Sequence, residues 1–313
     1  IKKYDSTNKL VETDTPSSNF ISGANLPWIN YGNDIGSPTG FSNDLAALYS
    51  DFDQWKGSTV RVFLFCDLRS GIIFDASGNP VSFNLRVFND MQALLDAAKA
   101  FDIKLIPVVF DYMIADGKSG TYLGEHPDLI TDPVKREKLL GLFSGFFTTF
   151  AGDSSIYAWD VMNEPEFAGA VSISDAQSFI SDFVRLIHSK SSQAKVTVGS
   201  ARRDWMFEYW TGIGLDVYEF HYYDSAESIT PLNYSLSQLR LDKPVIAGEL
   251  QPTDVTSKLS TLYTDGYSGG LFWQDQGSYQ ISSTDYASVR SFFNGTKSTY
   301  TYYSSGTLQS ELL

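Results

Sequence analysis

Short β-rich apolar runs alternate along the chain with longer segments whose apolar residues recur at helical spacing. Eight runs predict strands: Phe20–Asn25, Thr59–Cys66, Ile103–Phe110, Ile156–Met162, Lys195–Ser200, Asp216–Tyr222, Pro244–Glu249 and Gly269–Trp273. Between them, Leu85, Phe88, Met91, Leu94, Leu95 and Ala98 form one helical stripe. Leu139, Leu142, Phe143 and Phe146 form a second, and Phe179, Phe183, Leu186 and Ile187 a third. Asn84, Asp132 before Pro133, and Ser174 with Asp175 are suited to helix starts, where a side-chain oxygen can accept from free N–H groups. A further helix is predicted from about Leu232 to Leu239, just after Pro231.

Strict alternation of strand and helix implies parallel strands. Eight such units in about 280 residues match the size of one closed barrel. The predicted fold class is therefore α/β, a single-domain (β/α)8 TIM barrel over residues 20–296. Residues 1–19 form an N-terminal extension and residues 297–313 a tail rich in Tyr, Ser and Thr. The alternative is an open doubly wound sheet, which would carry a glycine-rich phosphate loop after a strand; the sequence has none.

Composition narrows the partners. With 42% hydrophobic and 19% charged residues, the 313-residue chain has ample material for one large core. A formal net charge of −14 opposes binding to nucleic acid, anionic membrane or a polyanionic substrate, which leaves neutral ligands. No run of 18 apolar residues predicts a membrane span. The polar start lacks an initiator Met and a signal-peptide core, as a mature secreted product would. Few Lys and Arg with many Ser, Thr, Asn and Tyr fit an extracellular protein that handles sugars, expected as a monomer. The one cysteine, Cys66, excludes an intramolecular disulfide and reads as a small buried side chain. His126, His188 and His221 lack zinc-ligand spacing; His126 falls in a loop and His188 on a helix surface, and no metal is expected. Asn233 and Asn294 begin glycosylation patterns, which a Ser- and Thr-rich chain also produces by chance.

The chemistry comes from the strand ends. In such a barrel the C-terminal ends of the strands face the active site. The fourth strand runs into Asn163-Glu164-Pro165 and the seventh ends at Glu249. Either glutamate alone could be a solvated loop carboxylate. Together they stand on nearly opposite strands of a narrow ring, close enough for their side chains to approach. Two carboxyls about 5–5.5 Å apart suit double displacement at a glycosidic bond. Such neighbours cannot both ionise easily, so one keeps its proton near neutral pH. No cofactor is needed for that reaction.

From about Phe20 to Trp273 the chain resembles the clan of retaining (β/α)8 glycoside hydrolases, most closely family 5 of the cellulase and mannanase type. Trp159-Asp-Val-Met-Asn163-Glu164-Pro165 is the most specific piece. The resemblance implies that Glu164 is the acid/base, Glu249 the nucleophile and Asn163 the contact to the sugar 2-hydroxyl. It implies that Arg61 supports the nucleophile carboxylate. A guanidinium there would favour the charged form. His221 and Tyr223 match the clan's His-x-Tyr, with Tyr223 on the nucleophile and His221 on the sugar or the acid/base. Trp273 matches the tryptophan platform under the sugar.

The chain departs from family 5 after the third strand, where Phe110-Asp111-Tyr112-Met113 replaces a common histidine. Asp111 and Tyr112 are expected to take over substrate contacts. Trp28 and Tyr31 lie in an aromatic loop that reads as a sugar-stacking wall. Asp67, Arg69, Arg202, Arg203 and Trp205 follow strand ends and could line subsites, and Glu166 reads as a binding residue. The expected function is a retaining endo-β-glycanase acting on β-mannan or β-glucan. An exo-acting β-glycosidase, a non-catalytic carbohydrate-binding barrel and a metal-dependent barrel hydrolase are the alternatives.

Overall fold

A computed structural model describes residues 2–4, 10–13, 20–117, 125–224, 232, 234–273, 281–282, 285–290 and 292. Eight parallel strands close into the predicted barrel. They are β1 (Ile21–Asn25), β2 (Thr59–Phe63), β3 (Lys104–Asp111), β4 (Trp159–Asn163), β5 (Val196–Ser200), β6 (Tyr218–Tyr222), β7 (Val245–Leu250) and β8 (Gly269–Phe272). β8 pairs in parallel with β1, from Gly269 opposite Ile21 to Phe272 opposite Ala24, and so closes the ring. Two small antiparallel ribbons lie outside it: Lys2–Tyr4 with Leu10–Thr13, and Ile72–Phe74 with Pro80–Phe83. The tail over 297–313, Asn233 and Asn294 fall outside the described residues.

Period-two alternation sorts the strand residues between two cores. Val60, Val62, Leu105, Val109, Trp159, Val161 and Phe220 join the large core between barrel and helices. That layer is rich in edge-packed rings, such as Phe65 on Phe143 (5.2 Å) and Phe110 on Phe183 (5.4 Å). Inside the barrel, Ile21, Ile106, Val217, Ile246 and Leu271 form an apolar plug. Among the further inward positions of β2, β4 and β6 are Arg61, Asp160, Glu219 and His221, all fully buried. One stratum of the barrel interior is therefore polar.

Several predicted boundaries shift. β2 ends at Phe63, although Leu64 and Phe65 still donate backbone hydrogen bonds to Val108 and Val109. β4 starts at Trp159, with Ile156 making only an isolated bridge to Leu105. The second helix is Val87–Ala100; Asn84 accepts from the Arg86 N–H one turn early, and Leu85 is 96% exposed and off the stripe. Ser172, rather than Ser174, caps Ile173–Lys190 by accepting from the Asp175 N–H. Asp132 caps Pro133–Phe150 as predicted. The helix predicted from Leu232 is only Leu236–Leu239, held by a capping box between Ser235 and Gln238.

Candidate active site

Arg61 organises the polar stratum. Its Nη1 donates to Asn25 Oδ1 (3.0 Å) and Glu249 Oε1 (2.8 Å). Its Nη2 donates to Asp160 Oδ2 (2.7 Å) and Asn163 Oδ1 (2.8 Å), and its Nε to Asp160 Oδ2 (3.1 Å). Burial alone would lower its pKa; the carboxyls of Asp160, Glu219 and Glu249 outweigh this and hold it raised. One fixed cation thus ties β2 to β1, β4 and β7. Small residues make the room. A Cβ at Gly199 would lie 2.6 Å from Arg61 Nη2 and 3.0 Å from His221 Nε2.

Glu249 lies within β7, 3% exposed. Arg61 donates to one of its oxygens and the Tyr223 hydroxyl to the other, at 2.5 Å. Burial and the neighbouring Glu249 raise the Tyr223 pKa, so the phenol stays a proton donor. Both oxygens of Glu249 therefore face donors, the arrangement a carboxylate accepts.

Glu164 follows β4 in a left-handed backbone conformation, φ 44° and ψ 49°. Its N–H donates to the Gly199 carbonyl (2.6 Å), which anchors that turn on β5. The side chain is 17% exposed, and Oε1 lies 2.7 Å from His221 Nδ1. Burial pushes the Glu164 carboxyl up to about 7, only partly offset by Arg61. Burial pushes His221 down to about 4, so its ring is neutral near pH 7. One oxygen of Glu164, one of Glu249 and a ring nitrogen of His221 lie within 4.8 Å of one another. Such a trio could in principle hold a metal ion. Arg61 and Tyr223 already occupy both Glu249 oxygens, so a cation would have to displace those donors. The cluster is two neighbouring carboxyls, Glu249 held by Arg61 and Tyr223 and Glu164 paired with His221.

The remaining predicted residues divide into rim and support. Trp28 packs edge-on against Tyr31 (4.6 Å), Phe63 (6.0 Å) and Trp273 (6.1 Å), a half-buried aromatic wall beside β1 and β8. Across the mouth, Phe167 touches Trp205 (5.8 Å) and Tyr112 (5.7 Å), and is itself 45% exposed. Asn163 donates its Nδ2 to Asp111 Oδ2 (2.8 Å). Asp111 is 3% exposed and also accepts from the Met113 N–H, so it stands behind Asn163. Burial pushes its carboxyl up to about 8. Glu166 turns inward to Ser200 and Trp210 Nε1, so it braces the loop and does not reach into the mouth. Arg203 is buried against the Tyr267 hydroxyl (3.0 Å), away from any subsite. Arg202 pairs with Asp204 and lies over the Trp205 ring. Arg69 pairs with buried Asp67 and lies over Tyr31. His188 stands on the helix surface as expected, partly exposed, and bonds Asp216 at 2.8 Å. His126 stacks on Phe74, and Cys66 is a buried free thiol.

Sequence reasoning missed Asp160 and Glu219, which share the floor with Arg61. Each is a carboxyl inside an otherwise apolar strand, and that was the available signal. Phe167 was missed as well, because it lies in the short turn after β4, where no periodicity marks a side chain.

No family model matches the chain. The chain is 24% identical to a mannan endo-1,4-beta-mannosidase of Mytilus edulis, over 81% of this chain and 83% of the relative. It is also 24% identical to the enzyme of that name from Cryptopygus antarcticus, over 85% of this chain and 82% of the relative. Among solved structures, the endo-1,4-beta-mannanase of Eisenia fetida superposes with a TM-score of 0.75 at 23% identity, covering 89% of this chain and 90% of that one. The likeness to the solved structure bears out the barrel fold expected from the strand pattern.

Proposed function

We propose that the protein is a retaining glycoside hydrolase of the endo-β-1,4-mannanase type. The observation that carries this reading is the pair of oxygens on Glu164 and Glu249 within 4.8 Å, one carboxyl facing two donors and the other pushed up to about 7. Inverting enzymes need about 6.5–9.5 Å between the carboxyls to admit a water, and retaining ones about 5–5.5 Å. The names of the relatives and structural neighbours support mannan as the substrate.

Glu249 attacks the anomeric carbon and forms a glycosyl ester. Glu164 passes its proton to the departing glycosidic oxygen as that bond breaks. Glu164 then takes a proton from water, whose oxygen attacks the anomeric carbon and releases Glu249. With its single ring proton on Nδ1, neutral His221 donates to Glu164 Oε1, while the proton that Glu164 passes to the leaving oxygen sits on its other oxygen, Oε2. Neutral His221 can serve both states. Asn163 binds the sugar 2-hydroxyl through its remaining amide N–H, oriented by Arg61 and Asp111. Trp273 and Trp28 form the stacking wall, and Trp205 the opposite rim.

The acidic charge suits a neutral polysaccharide, and among the described residues no helix is long and apolar enough to cross a membrane. Action outside the cell, as a monomer, completes the proposal. The test is hydrolysis of defined mannan, glucan, xylan and galactan oligosaccharides with product sizes and anomers followed in time. Internal cleavage of mannan with β-anomers first is the expected result. Initial α-anomers overturn retention, and release of single sugars from one end overturns the endo reading.

A further inference from the structure

Three carboxyls meet one guanidinium in the barrel floor. Asp160 approaches Arg61 to 2.7 Å, Glu249 to 2.8 Å and Glu219 to 3.1 Å. All are almost wholly shielded from water. Three ionised carboxylates would leave two negative charges uncompensated there. Hydrogen-bond donors are not shared equally among them. Asp160 accepts from Arg61 and from the Met162 and Gly199 N–H groups. Glu249 accepts from Arg61 and Tyr223. The single Nε–H of Arg61 is aimed at Asp160, so neither oxygen of Glu219 holds a hydrogen bond. A buried carboxylate without donors is the form an interior tolerates least. A carboxylic acid is tolerated; the nearby Thr197 hydroxyl and Arg61 favour the charged form, but burial and Asp160 outweigh them.

The backbone is shaped around this carboxyl. The β6–β7 register runs from Phe220 opposite Ala247 to His221 opposite Glu249, so Gly248 is the extra residue of a bulge. A Cβ at Gly248 would sit 1.9 Å from Glu219 Oε1. The bulge that seats Glu219 also sets Glu249 at its place on the strand.

We propose that Glu219 is a positioning residue held as a neutral carboxylic acid, which keeps the Arg61 guanidinium seated against Glu249 without competing for its charge. The positioning half rests on Glu249 being the nucleophile; the neutral-acid half does not. Burial pushes Glu219 up to about 8; Asp160 adds to this and Arg61 offsets part of it. The groups facing it are Arg61 from β2, Tyr157 before β4, Asp160, Thr197 from β5, His221 on its own strand and Glu249. Burial holds Tyr157 and His221 neutral near pH 7, so Arg61 is the one cation among them.

The test uses the whole chain with Glu219→Gln, an isostere of the neutral acid. A carboxyl raised in the folded state contributes stability that is complete below its unfolded value of 4.5 and drains as pH rises toward about 8. Glutamine has no such proton to lose. The melting temperature of the variant minus that of the wild type therefore grows more positive from about pH 5 to about pH 8. A difference that is flat, or that falls with pH as loss of an ionised pair would make it, overturns the neutral acid. For positioning, Glu219→Ala is expected to lower kcat at least ~30-fold with KM within ~3-fold, while Glu219→Gln keeps kcat within ~3-fold. Unchanged kcat in Glu219→Ala, or a Gln variant as slow as the Ala variant, overturns that role. Should the Ala variant not fold, Glu219→Asp withdraws the carboxyl by one methylene and carries the same kcat expectation. The melting series needs no substrate, so its failure is distinguishable from failure of the mannanase reading.

Discussion

Glu164 and Glu249 are the same residue type at the mouth of the same barrel, yet the two surroundings differ in donors and in backbone. Glu249 sits within a strand, just after the bulge at Gly248, with a permanent cation on one oxygen and a phenol on the other. Glu164 sits in a left-handed turn beside a neutral imidazole, and Arg61 offsets only part of the rise that burial gives its carboxyl. The lesson is that role follows from donors and backbone, since the side chain itself is common to both. A nucleophile needs donors that hold its charge. An acid needs enough burial to keep its proton and enough freedom to pass it on.

The strongest way to break this contrast is to delete each carboxyl in turn. Glu249→Ala should lower kcat on mannan by roughly 10⁴-fold or more, with azide partly restoring turnover of an activated aryl β-mannoside as an α-glycosyl azide. No α-azide product would sink Glu249 as nucleophile. Glu164→Ala should cost about 10²–10⁴-fold on mannan but much less with a leaving group that needs no proton. Equal losses on both substrates would show that Glu164 is not the acid. Tyr223→Phe removes one donor from Glu249 and should lower kcat about 10–100-fold, read against KM in steady-state assays. The gentlest probe is pH. The acid is competent while protonated, so kcat/KM should hold below about 7 and fall about tenfold per unit above it. A profile flat to pH 9 would remove Glu164 from the acid role.

Much of this was legible in the sequence. Eight apolar runs separated by helical stripes led to the barrel, strand ends led to Glu164 and Glu249, and the family resemblance led to Arg61, His221 and Tyr223. The barrel and the two glutamates were readable because strand period and barrel geometry convert sequence position into place. Glu166 and Arg203 show the limit. Both follow strand ends, as the site residues do, but turn back to Trp210 and Tyr267. A loop can reverse a side chain within two residues, and no periodicity records that. Leu85 failed for a similar reason: it fits the helical stripe, but the helix begins after it. Asp160 and Glu219 lay inside strands, where a sequence reader assigns apolar packing, and only the shared contact with Arg61 gives them meaning.

The left-handed turn at Glu164 has one more consequence. A non-glycine residue in this conformation costs about 1–2 kcal/mol, and a following proline restricts it further. Glycine would occupy the position with less strain, yet could carry no proton to a leaving group. Under the proposed mechanism the fold thus keeps a residue that loosens it where proton transfer needs a side chain. Selection for thermal endurance alone would erode activity first at this turn, and a library screened only for survival should reveal the site as the place where inactive sequences prosper.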